Sequence, residues 1–367
     1  MLDQVAAAFD RQDYQTASRL LKELLKQSPH NPWVQLYVGR LQEVAGKLEA
    51  AEHTYRQLLR ETTHPKLATQ VRQGIKRVEE RKQERRRQAI AQATAGSQDR
   101  EAGFLVLETV GGEARPAVVE RFATVMGLDT YAARLLVPSR GWRLYRSGPI
   151  GELRVYGQEL QQAGVPAFWA SLPDLQQIKV FQVQYFQADS SQAIAVCHNE
   201  HGQLGSLPFT WSEISQRVEG RLPIFEQVVD VGIRNQLTRK QQTQDYSLFC
   251  DLHLPGRQCL LRLQDGVYQF NCGVDLLPYQ QPEANWLDRN TIRTNWNSLQ
   301  SWLQEQLPPV PVWSDFTVFG ETAADFVLPL SRLKSHIDLF RRTPSFWDPA
   351  FHLYSTLLFL RNGQGNP

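Results

Sequence analysis

From Leu2 to about Ala95, apolar residues recur at the three- and four-residue spacing of helices packed on one side. The breaks divide this stretch into helices at about Asp3 to Asp10, Tyr14 to Gln27, Pro32 to Ala45 and Leu48 to Glu61, with a longer helix from about Pro65 to Ala93. Ser28-Pro29 and Asn31-Pro32 interrupt the first hairpin, because proline cannot continue a helix and disfavours helical geometry just before it. Gly46 ends the third helix, while Gly39 sits inside it at a cost of about 1 kcal/mol relative to alanine, so a packing reason is expected there. After Gly103 the pattern changes. A strand at Gly103 to Val110 is followed by helices at Pro116 to Met126 and Thr130 to Leu136, a strand at Trp142 to Tyr145, a helix at Gly151 to Ala163 and a strand at Val165 to Ala170. Alternating segments at Lys179 to Ala188, Ala193 to His198, Leu204 to Trp211, Ile224 to Val229, Tyr246 to Leu254, Gln258 to Leu263 and Val267 to Cys272 then read as seven strands. His201-Gly202 and Asp265-Gly266 supply the turns, and Arg289 to Leu307 forms a helix with Trp296, Leu299, Trp302 and Leu303 on one stripe.

The helical start repeats itself at an offset of 34: Tyr14, Ala17, Leu21, Leu24 and Leu25 return as Leu48, Ala51, Tyr55, Leu58 and Leu59. This resembles a tetratricopeptide array, in which small residues in both helices of a unit let them approach closely. Gly39 and Ala51 occupy those positions in the second unit; in the first, Val5 replaces the small residue and only Ala17 fits. The resemblance implies a protein partner held in a concave face. Gln4, Tyr14, Gln35, Val38 and Gln42 are candidate lining, and Trp33, Tyr37, Arg40 and Gln42 the candidate partner-binding residues, with packing between repeats the competing role for Trp33 and Tyr37. An array of two units is short, so it leans on the following helix or on a second copy of itself.

The central order of strand, two helices joined at Gly127-Leu128, strand, helix and strand resembles the C-terminal domain of the bacterial ribosomal stalk protein. It implies a small α/β sandwich. The stalk's lysines are absent, since Thr130 to Leu136 offers only Arg134, so no translation-factor contact is carried over. Seven strands followed by a closing helix resemble a pleckstrin-homology-type barrel. The expected organisation is thus multidomain α+β: helical repeats with a long basic helix at 1–95, a linker at 96–102, an α/β sandwich at 103–175, a β-barrel with its helix at 176–307, and an aromatic-rich extension at 308–367 that wraps back on the barrel through helices near Ser331 to Arg341 and Pro349 to Leu360.

A hydrophobic content of 42% is ample to fill these cores. The 40 basic and 38 acidic residues nearly cancel, which removes any global electrostatic case for nucleic acid. One stretch, Lys76 to Gln88, carries seven basic and three acidic residues and reads as a solvated helix with pairs such as Glu79 with Lys82 and Glu84 with Arg87. It lacks the interleaved aromatics of single-strand binders. Four cysteines in so long a chain point to a reducing compartment, the N-terminus does not read as a secretion signal, and the longest apolar runs are too short to span a bilayer, so a cytoplasmic protein is expected.

Candidate chemistry is sparse. Cys197, His198, Glu200 and His201 with Cys250, Asp251, His253 and Cys259 form the nearest approach to a zinc site. Alternation along a strand points Cys197 and His198 to opposite faces, and likewise Cys250 and His253, so buried structural thiols are the better reading. A Cys197–His253 thiol hydrolase has no supporting local motif, and Gly111-Gly112 lacks the remaining residues of a nucleotide loop. The sequence therefore predicts no catalysis and no cofactor. The loop Val231 to Asp245 carries Arg234, Arg239 and Lys240, the candidate anion-binding residues. Two functional classes follow: an adaptor or scaffold that grips a protein through its repeats, or a sensor or peripheral membrane module whose barrel holds an anionic head group or nucleotide at that loop.

Overall fold

The computed structural model describes the chain apart from residues 189–191, 232–236, 280–290, 340, 342–343 and 364–367, and apart from the side chains of 188, 226–231, 237–242 and 363. It forms two compact units, Met1–Ala93 and Thr94–Pro367.

The first unit consists of α1 (Leu2–Asp10), α2 (Tyr14–Gln27), α3 (Pro32–Val44), α4 (Leu48–Glu61) and α5 (Pro65–Ala93). Its boundaries follow local chemistry. The Asp13 carboxylate accepts from the Thr16 amide at the start of α2, and Asn31 accepts from the Trp33 amide ahead of Pro32 in α3. The expected packing reason for Gly39 is the Tyr55 ring. Tyr55 of α4 is fully buried, and it lies between Gly39 of α3 and Gly74 of α5. A methyl group at Gly74 would stand 2.7 Å from the ring, and one at Gly39 would overlap it. Both glycines are required because the ring is held from two sides.

The second unit begins with β1 (Ala102–Leu107), α6 (Arg115–Met126), α7 (Thr130–Leu136), β2 (Arg143–Pro149), α8 (Ile150–Gln162) and β3 (Ala167–Ser171), the element order expected. Gly127 joins α6 to α7 at φ 66°. The three strands form an antiparallel sheet in the order β2-β1-β3, and its outer face packs on α6 to α8 through Leu105, Phe122 and Leu160. Next come α9 (Leu172–Gln176), β4 (Lys179–Ala188), β5 (Ala193–His198), β6 (Leu204–Phe209), β7 (Gln216–Val231), β8 (Leu237–Leu254), β9 (Cys259–Gln264), α10 (Ile292–Gln306), β10 (Val312–Trp313), α11 (Phe316–Ala323), α12 (Val327–Leu330) and α13 (Trp347–Gly363).

The expected barrel is not formed. β4 to β10 make one open sheet in the order β10-β7-β8-β9-β4-β5-β6, with β4 parallel to β9 and β10 parallel to β7. The two edges, β6 and β10, do not meet. Alternating polarity located six of the seven strands but could not say which strand pairs with which. Val267 to Cys272, expected as the seventh strand, is irregular: the Gln269 amide donates to the Gln184 carbonyl (2.7 Å) and the Val274 amide to the Phe186 carbonyl (2.9 Å), extending β4's bonding beyond its pairing with β9. Tyr268 drops into the core, where the Phe186 amide donates to its hydroxyl (3.2 Å). The presumed loop at 231–245 is largely strand, because β7 and β8 pair from Gln216↔His253 to Val231↔Leu237 with one register shift between Ile224 and Phe225. No helix covers 331–339; α11 and α12 occur upstream instead.

The C-terminal extension packs back on the large sheet and lies beneath the three-stranded sheet as well. Residues 350–359 of α13 are all buried, between the inner face of the three-stranded sheet (Phe104, Trp142, Phe168) and one face of the large sheet (Val218, Leu222, Phe249). A helix with apolar residues on every side requires such a position, and its His352, Ser355 and Thr356 are buried with them. The opposite face of the large sheet packs on α10 through Trp296, Leu299, Trp302 and Leu303.

Candidate functional site

Successive odd-numbered helices of the first unit bring one row of side chains together. The Phe9 ring of α1 lies 5.3 Å from Tyr37 of α3, and the Arg40 guanidinium sits over Tyr37 at 5.5 Å from its ring centre. One turn further along α3, the Glu43 carboxylate is buried and accepts from Arg77 Nε and Nη2 of α5, both at 3.1 Å, and from the Tyr55 hydroxyl at 3.1 Å. Arg81 Nη1 donates to the Glu43 carbonyl at 2.9 Å. The row is aromatic at its α1 end and cationic at its α5 end. Burial, followed by the adjoining Glu43 charge, pushes the Tyr55 hydroxyl pKa up, so it stays a donor. Burial also raises Tyr37.

This geometry divides the expected partner-binding residues. Tyr37 and Arg40 stand together in the row. Trp33 instead packs partly buried against the α4–α5 core and meets His64 edge-on at 5.8 Å, while Gln42 accepts from the Thr54 hydroxyl of α4 at 2.9 Å, so both brace α3 against its neighbours. Gln35 donates to the Pro29 carbonyl at 2.6 Å and ties down the α2–α3 turn. Tyr14 packs edge-on to Phe9, Val38 packs partly buried against the α1–α2 core, and Gln4 is exposed. Phe9, Arg77 and Arg81 were missed. Arg77 was readable, since it stands 34 residues after Glu43, one repeat period on.

The basic stretch in α5 is therefore partly structural. Lys82 turns to Glu52 of α4 (2.7 Å) and Glu49 (3.8 Å) rather than to Glu79, and Glu84 accepts from Gln88 (2.9 Å). These contacts clamp the long helix onto the repeat before it.

In the second unit the candidate zinc residues do not share one environment: Glu200 and His201 are exposed and His198 half-buried, while the others lie in the core. Cys197, Cys250 and Cys259 are buried free thiols, and burial raises their pKa, to about 11 for Cys197 and Cys259, which disfavours the thiolate that attack or metal binding needs. Among the described residues, no three His, Cys, Asp or Glu side chains gather as metal ligands. One pairing looks like hydrolase chemistry: His253 Nε2 lies 2.9 Å from Ser355 Oγ, and both residues are wholly buried. Its hydrogen bonds run the wrong way for a general base. The Trp313 indole, which can only donate, points at Gln216 Oε1 (2.9 Å), so the Gln216 amide NH₂ faces His253 Nδ1 (2.8 Å). Nδ1 is then the acceptor, and Nε2 carries the proton it donates to Ser355. Burial lowers the His253 pKa to about 4, keeping the ring neutral. Beside it, Asp251 and Arg262, directly paired across β8 and β9, form a two-bonded ion pair (2.9 and 2.7 Å) with neither side chain exposed. The side chains of Arg234, Arg239 and Lys240 lie outside the described residues.

The helical pairs of the first unit, with glycines and alanine at their close approaches, define a helical repeat. Residues 8–71 match the family model described as tetratricopeptide repeat. No curated protein and no solved structure matches the chain. Tetratricopeptide repeats are protein-interaction modules, and no helix among the described residues is long and apolar enough to cross a membrane.

Proposed function

We propose that the protein is a non-enzymatic cytoplasmic adaptor whose helical array grips a segment of a partner protein along the row Phe9, Tyr37, Arg40 and Arg81. The observation that carries this reading is the half-exposed aromatic and cationic row on α1, α3 and α5, of which Phe9, Tyr37 and Arg40 lie within the residues that match the repeat family. Aromatic and arginine side chains are the usual anchors of interfaces, because they offer large contact area with a polar handle. Residues 1–93 hold 17 basic and 11 acidic residues, so a partner segment bearing carboxylates beside an apolar anchor complements the surface. Buried cysteine thiols and the locked His253–Ser355 pair support a role without catalysis. The large second unit then serves as the adaptor's other attachment surface.

The test is affinity capture from the native cell with the full chain and with a Tyr37→Ala/Arg40→Glu variant, the bound proteins being quantified by mass spectrometry. Partners depleted by the variant are the expected result. An unchanged set of partners on a folded variant would sink the assignment of the row.

A further inference from the structure

Among the described residues of the second unit, eight arginines are ion-paired with carboxylates: Arg140, Arg146, Arg154, Arg217, Arg257, Arg262, Arg341 and Arg361. Arg221 of β7 and Arg293 in the first turn of α10 have no carboxylate partner among the described residues, and both line one cleft of about 470 Å³. Arg140 lines the same cleft while bound to Asp315 at 2.8 Å. The lone carboxylate in the lining, Glu219, is neutralised by Arg217 at 2.8 Å. The walls add the hydroxyls of Ser314 and Thr317, around the first turn of α11, and the Asn297 amide.

We propose that this cleft is a binding site for a soluble phosphate-bearing molecule, with Arg221 and Arg293 as its charge partners. Two guanidinium groups with no carboxylate partner among the described residues present fork-shaped donors that match phosphate oxygens, and neutral hydroxyl and amide donors beside them suit the remaining oxygens. The volume lies within the range of small-molecule sites and exceeds what a single inorganic phosphate fills, which favours a di- or triphosphate. A recess rather than a flat basic face favours a free molecule over a membrane surface. This site is separate from the partner row on the array and does not depend on it.

The test uses the full chain and isothermal titration calorimetry with pyrophosphate and adenosine diphosphate at low and moderate salt. Both are expected to bind, more weakly as salt rises. The double variant Arg221→Gln/Arg293→Gln should weaken binding by about tenfold or more, since it removes two charge-assisted contacts. Both residues are exposed, so its melting temperature should match the parent's; Arg332→Gln, an exposed arginine outside the cleft, should leave binding unchanged. The proposal is overturned if neither phosphate compound binds, if the double variant binds as tightly as the parent, or if Arg332→Gln weakens binding equally. Association with phosphatidylserine vesicles without pyrophosphate binding overturns it as well.

Discussion

Glu43 in the helical array and Asp251 in the sheet unit are both buried carboxylates held by arginine, but their surroundings differ. The Glu43 side chain is 5% exposed, and its partners Arg77 and Arg81 are 40% and 50% exposed, so water solvates one side of the cluster and Tyr55 adds a neutral donor. Asp251 and Arg262 are both at 0%, with the Arg262 guanidinium over the Phe351 ring and its remaining hydrogen bond going to the Ser335 carbonyl at 2.7 Å. The array places its charge at a rim where it can also meet a partner. The sheet unit seals its charge inside, where the pair fixes the alignment of β8 and β9 against α13 and is closed to any ligand.

The contrast breaks most sharply if one member of the sealed pair is removed. Arg262→Met should destabilise the second unit by about 3–5 kcal/mol, because it strands the Asp251 charge in the core. The double variant Asp251→Leu/Arg262→Met should recover much of that loss in denaturant unfolding; no recovery would mean that the pair is not the dominant contact. Acid should act next most strongly, and on the same unit. His253 has a folded pKa of about 4 against an ordinary value near 6.5, so the unfolded chain binds the proton first. Stability is therefore fully present above pH 6.5 and lost as pH falls toward 4, by on the order of 3 kcal/mol from this residue. Burial lowers His336 and His352 in the same sense, whereas the array buries no histidine. Melting curves between pH 7 and 4.5 that shift the array's transition more than the sheet unit's would reverse the comparison.

Within the array, Gly39→Ala or Gly74→Ala should cost roughly 1–3 kcal/mol, since the Tyr55 ring is confined on both sides and cannot yield. Tyr55→Phe keeps the ring and loses only the hydroxyl bond to Glu43, for a cost of about 1 kcal/mol. If circular dichroism melting ranks the two changes the other way, the slot is looser than its contacts imply. The smallest effect belongs to the row itself: Arg40→Ala should alter stability by less than about 0.5 kcal/mol while lowering partner capture. A large loss of stability would make Arg40 a packing residue instead.

The legibility of the two units differs for a physical reason. Contacts in the array are between neighbours in sequence, so the 34-residue offset, Asn31-Pro32 and Gly39 sufficed to place α1 to α5, and Tyr37 and Arg40 fell on the row. Trp33 and Gln42 also brace α3 inside the array, because helical spacing identifies a face without telling which neighbour covers it. In the sheet unit, polarity marked β4 and β5 at their observed bounds, yet β4 pairs with β9 more than seventy residues later, and nothing in either strand encodes that choice. The cleft at Arg221 and Arg293 joins elements more than seventy residues apart and was invisible from the sequence, whereas Asp251–Arg262 lies across the neighbouring strands β8 and β9 and only its register was unreadable.

The position of α13 has a consequence for synthesis. Both sheets rest on this helix, and it follows every one of their strands in the chain. While a ribosome makes the protein, the array's short-range contacts can close early, but the inner faces of both sheets, reached before that by α9, α11 and α12, are not fully covered until residues 347–363 have emerged. Ribosome-bound chains halted before Trp347 should accordingly be cut by protease throughout the sheet region while the array resists, and a resistant sheet region in such chains would show that α13 is dispensable for closing it.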